Sequence, residues 1–248
     1  MNKTILITGA SRGIGAATAI AAAKRGFAVC INYKENMPRA LALEQEITAL
    51  GARAYSIRAD VSNQEDVTRL FKAAYDTLGP IVGLVNNAGI LEQQMRLETI
   101  SAERINRILS TNVTGTLLCI KEAIAYMSSK KGNAGGSIVN VSSAAARLGS
   151  PREYVDYAAS KGAVDTLTIG LAKELAEEGI RVNAVRPAYI YTEMHASGGE
   201  PNRIERLKEW IPMKRGGTPE EVANAILWLL SDEASYTTGS FIDVAGGN

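Results

Sequence analysis

Residues 3–15 read Lys3-Thr4-Ile5-Leu6-Ile7-Thr8-Gly9-Ala10-Ser11-Arg12-Gly13-Ile14-Gly15, and this stretch decides the fold. Lys3–Thr8 is a short β-rich run. Glycines follow at Gly-x3-Gly-x-Gly spacing, and an Ala-rich helix is expected over Gly13–Arg25. Glycine at such a turn permits a tight bend and close backbone approach. The helix start then presents unpaired N–H groups and its positive end to an anion. A diphosphate is the expected guest, with Gly9, Ser11, Arg12, Gly13, Ile14 and Gly15 as candidate cofactor-binding residues.

Working outward, strand and helix patterns alternate to the end of the chain. Further strands are expected at Phe27–Asn32, Arg53–Arg58, Ile81–Val85, Gly136–Val141, Ile180–Val185 and Ser240–Val244. Helices are expected at Pro38–Leu50, Asn63–Leu78, Ala102–Ser128, Glu153–Glu178 and Thr218–Leu230. Strands separated by helices of this length imply right-handed crossovers and a mostly parallel sheet covered on both faces. One long irregular region, Arg186–Arg215, contains Gly198-Gly199 and three prolines, a length that in a compact domain is usually functional or disordered. The expected fold is one doubly wound α/β domain over residues 1–248. Gly9-Ala10-Ser11-Arg12-Gly13 also fits G-x-S-x-G, the nucleophile turn of α/β-hydrolases. That reading requires a histidine base and an oxyanion loop from an earlier strand. His195 is the only histidine and no earlier strand is expected, so the hydrolase reading is set aside.

Bulk properties narrow the partners. The 248 residues carry a formal net charge of +1 with no basic tract, so nothing points to nucleic acid. No run of about 18 apolar residues suggests a membrane span. Cys30 and Cys119 sit within apolar stretches and read as reduced core residues, consistent with a cytoplasmic location. The apolar run Ile5–Ile7 is too short for a signal-peptide core, and no metal site is expected.

The dinucleotide preference turns on the residues at the end of the second strand. A carboxylate there would accept the ribose hydroxyls of NAD, but the chain reads Asn32-Tyr33-Lys34, with Glu35 a step later. Lys34 and Arg12 instead suit a 2′-phosphate, so NADP is expected over NAD.

Tyr157-Ala158-Ala159-Ser160-Lys161 places a phenol and an ammonium on one helical face. The ammonium is expected to favour phenolate and lower the Tyr157 pKa, fitting it to exchange protons with a carbonyl or alcohol oxygen. The spacing recurs at Tyr126–Lys130, but that pair ends a helix and reads as a solvated end. Only Tyr157 follows Ser142-Ser143, at the carboxyl end of strand five, where open parallel sheets bind ligands.

With these residues in place, the chain resembles the short-chain dehydrogenase/reductase family over its full length. The resemblance rests on Thr8-Gly-x3-Gly-x-Gly15, Asp60-Val61, Asn86-Asn87-Ala88-Gly89, Asn112, Ser143, Tyr157-x3-Lys161 and Pro187, in order. It is nearest to bacterial 3-oxoacyl-carrier-protein reductases and glucose-1-dehydrogenase-like members. The resemblance implies a Rossmann-type domain with a seven-stranded sheet, and hydride transfer between NADP and a small carbonyl or alcohol substrate. It implies Tyr157 as general acid/base, and Lys161 lowering its pKa and holding the nicotinamide ribose. Ser143 would bond the reacting oxygen, and Asn112 would anchor a water. It also implies Asp60 and Val61 at the adenine, Asn87, Ala88 and Gly89 at the ribose, and Ile190 and Thr192 at the carboxamide, with Pro187 also among the cofactor-binding residues. Asn32, Tyr33 and Lys34 complete the cofactor set, and a substrate loop is expected at about 187–215. A homotetramer is implied, packing the two long helices and Gly239–Asn248. Two departures stand out: Ala188 replaces the family's usual glycine, and Arg152-Glu153-Tyr154 lengthens the segment before Tyr157. His195 reads as a surface loop residue. The alternative is a catalytically silent NADP(H)-binding sensor or scaffold of the same fold; the intact Asn112, Ser143, Tyr157 and Lys161 favour the enzyme.

Overall fold

A computed structural model describes residues 3–248. The first strand, β1 (Thr4–Ile7), is wholly buried, and so is β2 (Ala28–Tyr33). Such continuous apolar strands are stable only when both faces are covered, which is what parallel sheets require. Between them α1 (Gly13–Lys24) makes the crossover, followed by α2 (Met37–Ala49), β3 (Ala54–Arg58), α3 (Gln64–Leu78) and β4 (Ile81–Asn86). The second half runs α4 (Ala102–Leu109), α5 (Gly115–Met127), β5 (Gly136–Val141), the short α6 (Ala145–Leu148), α7 (Val155–Leu175) and β6 (Ile180–Pro187). It closes with the short α8 (Met194–Ser197) and α9 (Arg203–Leu207), then α10 (Pro219–Leu230) and β7 (Phe241–Val244).

All seven strands are parallel, in the order β3-β2-β1-β4-β5-β6-β7. The order reverses between β1 and β4, and the crevice outside the carboxyl ends at such a reversal is where open sheets take ligands. Alternation along β1 feeds two cores. Leu6 joins Phe71, Ile120 and Met127 on one face, whereas Ile5 and Ile7 join Ile47, Ile226 and Leu229 on the other. Asn63 caps α3 by accepting from the Asp66 N–H at 3.0 Å, and Thr218 with Glu221 forms a full capping box on α10.

The expected helix Ala102–Ser128 is interrupted: residues Ser110–Thr114 form a π turn between α4 and α5. Hydrophobic periodicity does not register one inserted residue, which is why the sequence reads as continuous. The expected start at Glu153 moves to Val155, because Ser150 (φ 45°) and Arg152 (φ 64°) adopt left-handed backbone in the lengthened connection. The region expected to be irregular holds α8 and α9. Cys30 and Cys119 are buried free thiols; burial raises both, Cys119 to about 12. Tyr126 packs on Tyr75 at 5.5 Å between centroids and Lys130 pairs with Glu177 at the surface, as a helix-end reading requires.

Candidate active site

The turn after β1 explains its glycines. Gly9 sits at φ +60°, and a Cβ there would stand 2.9 Å from the Ala88 Cα. A Cβ on Gly15 would lie 2.6 Å from Asn87 Nδ2. Two segments therefore pack backbone to backbone, and polar bonds lock them. Asn87 Nδ2 donates to the Thr8 and Gly9 carbonyls at 2.9 and 3.0 Å, and Thr8 Oγ1 accepts from the N–H groups of Asn87 and Ala88. Asn32 is buried and structural: its Oδ1 accepts from Gly9 N at 3.1 Å and its Nδ2 donates to the Ala59 carbonyl at 3.0 Å. No side chain caps α1 and its first turn holds no acidic residue, so its positive end faces the cleft uncompensated.

That cleft measures about 570 Å³. Gly9, Ser11, Arg12, Gly13 and Ile14 form one wall. Asn32, Tyr33 and Lys34 with Asp60 and Val61 form the second, and Asn87, Ala88 and Gly89 the floor. Thr192 closes it, its methyl 3.5 Å from where a Gly13 Cβ would stand. Gly15, Pro187 and Ile190 support this cleft without lining it. The Pro187 carbonyl accepts from Ala144 N, and the Ile190 carbonyl bonds His195 Nε2 at 3.0 Å. His195 is thus a brace between α8 and the chain after β6 rather than a free surface histidine; burial lowers its pKa, so the ring is neutral near pH 7. The wall and floor fit a dinucleotide: a glycine cradle a Cβ would fill, an open helix end, and cations at one rim. Lys34 is not free, however. Its Nζ lies 2.8 Å from Asp60 Oδ2, joining two residues the sequence assigned to separate parts of the cofactor. Asp60 also accepts from Ser62, and although its partial burial acts the other way, these partners hold its carboxyl below the usual range.

Gly89 leads from the cleft to the reactive groups. A methyl there would stand 3.4 Å from Asn112 Oδ1 and 3.5 Å from Lys161 Nζ. Asn112, fully buried in the π turn, accepts from Ile90 N at 2.8 Å and donates to the Ile90 carbonyl and Ser160 Oγ. The first two turns of α7 carry Tyr157 and Lys161. Lys161 Nζ donates to the Val141 carbonyl at 2.7 Å, at the end of β5, and lies 5.6 Å from the Tyr157 ring centroid. The two neighbouring serines part ways: Ser142 donates to Asp165 Oδ1 at 2.6 Å, and the Ser143 hydroxyl, which accepts from Ala145 N at 3.1 Å, sits near the Tyr157 phenol. The structure thus brings Asn112, Ser143, Tyr157 and Lys161 to one place.

One expectation needs correction. Burial pushes the Tyr157 phenol up to about 12, opposed only by the nearby Ser143 hydroxyl. Lys161 does not lower it, because the ammonium is engaged by Val141 and is itself destabilised by burial. Its pKa falls to about 8, with Asp165 one helical turn on pulling it back up. Ala188 has no left-handed backbone, so its methyl group brings no backbone strain.

Several site-building residues escaped the sequence reading. Asp165 pairs with Arg186 at 2.8 Å and so ties α7 to β6. Arg203 pairs with Glu153 and Glu200 and lies 5.5 Å from the Tyr154 ring centroid, fastening α9 over the lengthened segment. Across the cleft mouth Arg39 meets Glu193 at 2.6 Å. The only sequence signal for Asp165 was a carboxylate four residues beyond Lys161; nothing local announced the others.

The family model described as enoyl-(acyl carrier protein) reductase matches residues 9–248. The "Uncharacterized oxidoreductase YgfF" of Escherichia coli is 60% identical over 242 residues, covering 98% of both chains. The 3-oxoacyl-[acyl-carrier-protein] reductase of Synechocystis is 40% identical, with 99% of this chain and 96% of that one covered. Glucose 1-dehydrogenase 2 of Bacillus subtilis is 39% identical, with 99% and 94% covered. A solved dehydrogenase/reductase from Sinorhizobium meliloti superposes with a TM-score of 0.91 at 33% identity, over 99% of this chain and 94% of that chain. The chain belongs to the short-chain dehydrogenase/reductase family. It is a nicotinamide-dependent oxidoreductase acting on CH–OH groups of small molecules. Among the described residues no helix is long and apolar enough to cross a membrane.

Proposed function

We propose that this enzyme uses NADP(H) to interconvert a carbonyl and its alcohol, with Tyr157 as the general acid/base. The observation that carries the reading is the convergence of Lys161 and Asn112 on Gly89 at the end of the cleft, with the Lys161 ammonium 5.6 Å from the Tyr157 ring centroid. When bound, the nicotinamide supplies or accepts the hydride. In reduction Tyr157 gives its proton to the carbonyl oxygen while Ser143 donates a hydrogen bond to the same atom. Lys161, with a pKa near 8, is largely protonated at neutral pH and holds the nicotinamide ribose beside Tyr157. Asn112 holds the turn that backs Lys161 and anchors a water through which the proton is restored.

The cofactor set proposed is Gly9, Ser11, Arg12, Gly13, Ile14 and Gly15 for the diphosphate, and Asp60 and Val61 for the adenine. Asn87, Ala88 and Gly89 take the ribose, with Thr192 at the carboxamide end and Ile190 and Pro187 backing it from behind the cleft wall. Asn32, Tyr33 and Lys34 shape the 2′-phosphate end. What supports NADP is the absence of a carboxylate at the end of β2 and the Arg12 guanidinium, which makes no ion pair among the described residues. Asp60 shares Lys34 and so moderates the preference. Residues 1–248 act as one domain with a substrate loop at about 187–215, assembled as a cytoplasmic homotetramer through α4–α5, α7 and the C-terminal tail. The relatives named for an acyl-carrier-protein thioester and for glucose set the substrate classes to try. The test measures NADPH and NADH consumption, and NADP reduction, across β-ketoacyl thioesters, simple ketones and aldoses, with fluorescence titration of both dinucleotides. Turnover with NADPH and its tighter binding are expected; no turnover on any class, or tighter NADH binding, would overturn the reading.

A further inference from the structure

Arg104 on α4 and Asp156 in the first turn of α7 form the most deeply buried ion pair among the described residues, with side chains only 4% and 2% exposed. The proposed chemistry does not use either group. Removing two charges from water is costly, and apolar side chains of like bulk usually stabilise a core as well or better. Stability alone therefore gives no reason for the pair. Its geometry does. Arg104 Nε and Nη2 donate to the two Asp156 oxygens at 2.7 and 3.2 Å. Asp156 Oδ1 also accepts the backbone N–H of Tyr157 at 2.9 Å. The remaining arm, Arg104 Nη1, donates to the Gln93 carbonyl at 2.6 Å, in the segment between β4 and α4.

The residues after Gln93 carry the substrate loop. Gln94 N donates to the Gly198 carbonyl at 3.3 Å and Met95 N to the Glu153 carbonyl at 3.1 Å. Gln94 Nε2 reaches Glu200 at 2.7 Å. One guanidinium thus spans the turn that bears Tyr157 and the seat on which α8 and its flanks rest. We propose that Arg104 and Asp156 are a positioning pair that holds the Tyr157 turn and the Gln93–Met95 seat as one rigid unit. The phenol and the substrate-facing loop then keep a fixed mutual geometry. This rests on the reading of Tyr157 as the acid/base; neither residue touches the reacting atoms.

The test compares Arg104→Met, Asp156→Leu and the double variant by thermal unfolding, by amide hydrogen exchange over residues 90–96, and by NADPH-dependent reduction of ethyl acetoacetate. Each single variant strands a buried charge and lowers Tm by roughly 10 °C. The double variant removes both charges and recovers most of that loss. It still exchanges amides 90–96 about tenfold faster and loses about tenfold in kcat, with the KM for NADPH unchanged. Recovery of Tm together with wild-type exchange at 90–96 would overturn the proposal. Should the double variant not fold, Asp156→Asn keeps the acceptor for Tyr157 and weakens only the Arg104 grip. Faster exchange at 90–96 in that variant supports the proposal, and unchanged exchange overturns it. A wild type that binds NADPH but reduces nothing tells against the catalytic reading alone, because the exchange data still decide the role of the pair.

Discussion

Replacing Lys161 with methionine separates what the site does for catalysis from what it costs the fold. Methionine keeps the unbranched stem and removes the ammonium. Burial lowers the Lys161 pKa from 10.5 to about 8, so at neutral pH the folded protein carries an ammonium that the unfolded chain would hold more comfortably. The folded-state pKa is depressed, so between those values the unfolded chain binds the extra proton and stability rises with pH. Stability present above 10.5 is lost as pH falls through 8. The shift corresponds to about 3 kcal/mol near pH 7. Against it stands the 2.7 Å bond to the Val141 carbonyl, whose loss costs about 1–2 kcal/mol. The balance is a variant more stable than wild type by about 1–2 kcal/mol near pH 7, or roughly 2–8 °C in Tm. Near pH 10 most of that burial penalty is gone and the lost hydrogen bond outweighs the remainder, so the same variant becomes the less stable of the two. Circular-dichroism melts at both pH values read this directly. A variant that is destabilised equally at the two pH values would refute the claim that burial governs Lys161.

Other substitutions probe the remaining parts of the site. Gly9→Ala places a methyl 2.9 Å from the Ala88 Cα on left-handed backbone, and should cost at least 1–2 kcal/mol and weaken NADPH binding at least tenfold by fluorescence titration. Lys34→Ala should raise the NADPH Kd by about threefold to tenfold and leave NADH nearly untouched, the smaller effect reflecting the share Asp60 already takes of that ammonium. Asn112→Ala removes three hydrogen bonds at a fully buried position and should lower stability by about 2–4 kcal/mol in chemical denaturation, loosening the segment that carries Gly89 and Ile90.

The sequence makes the sheet legible because the central strands are apolar runs bounded by turn signals, and Gly9 and Tyr157-x3-Lys161 lie at the sheet's carboxyl edge, where local pattern and chemistry coincide. It does not reveal the π turn at Ser110–Thr114, since one extra backbone residue leaves the apolar periodicity on either side intact. Nor does it show which of two adjacent serines faces the phenol by any local signal; the side chains diverge because Asp165 captures Ser142. Nothing local in the sequence marks Arg104, Arg186 and Arg203, which tertiary packing sets against Asp156, Asp165 and Glu153. The pKa expectation failed for a related reason: helical spacing sets the side chains on one face but says nothing of burial, and burial outweighs the neighbouring charge at Tyr157.

The central claim is proton transfer by a single phenol, and single-turnover reduction of a carbonyl substrate by NADPH in wild type and Tyr157→Phe tests it most directly. Phenylalanine preserves the ring and its packing, so NADPH affinity should remain within about twofold while the rate of NADPH oxidation falls about 10²–10⁴-fold. Oxidation at an undiminished rate in the variant, with the dinucleotide still bound, would contradict the account.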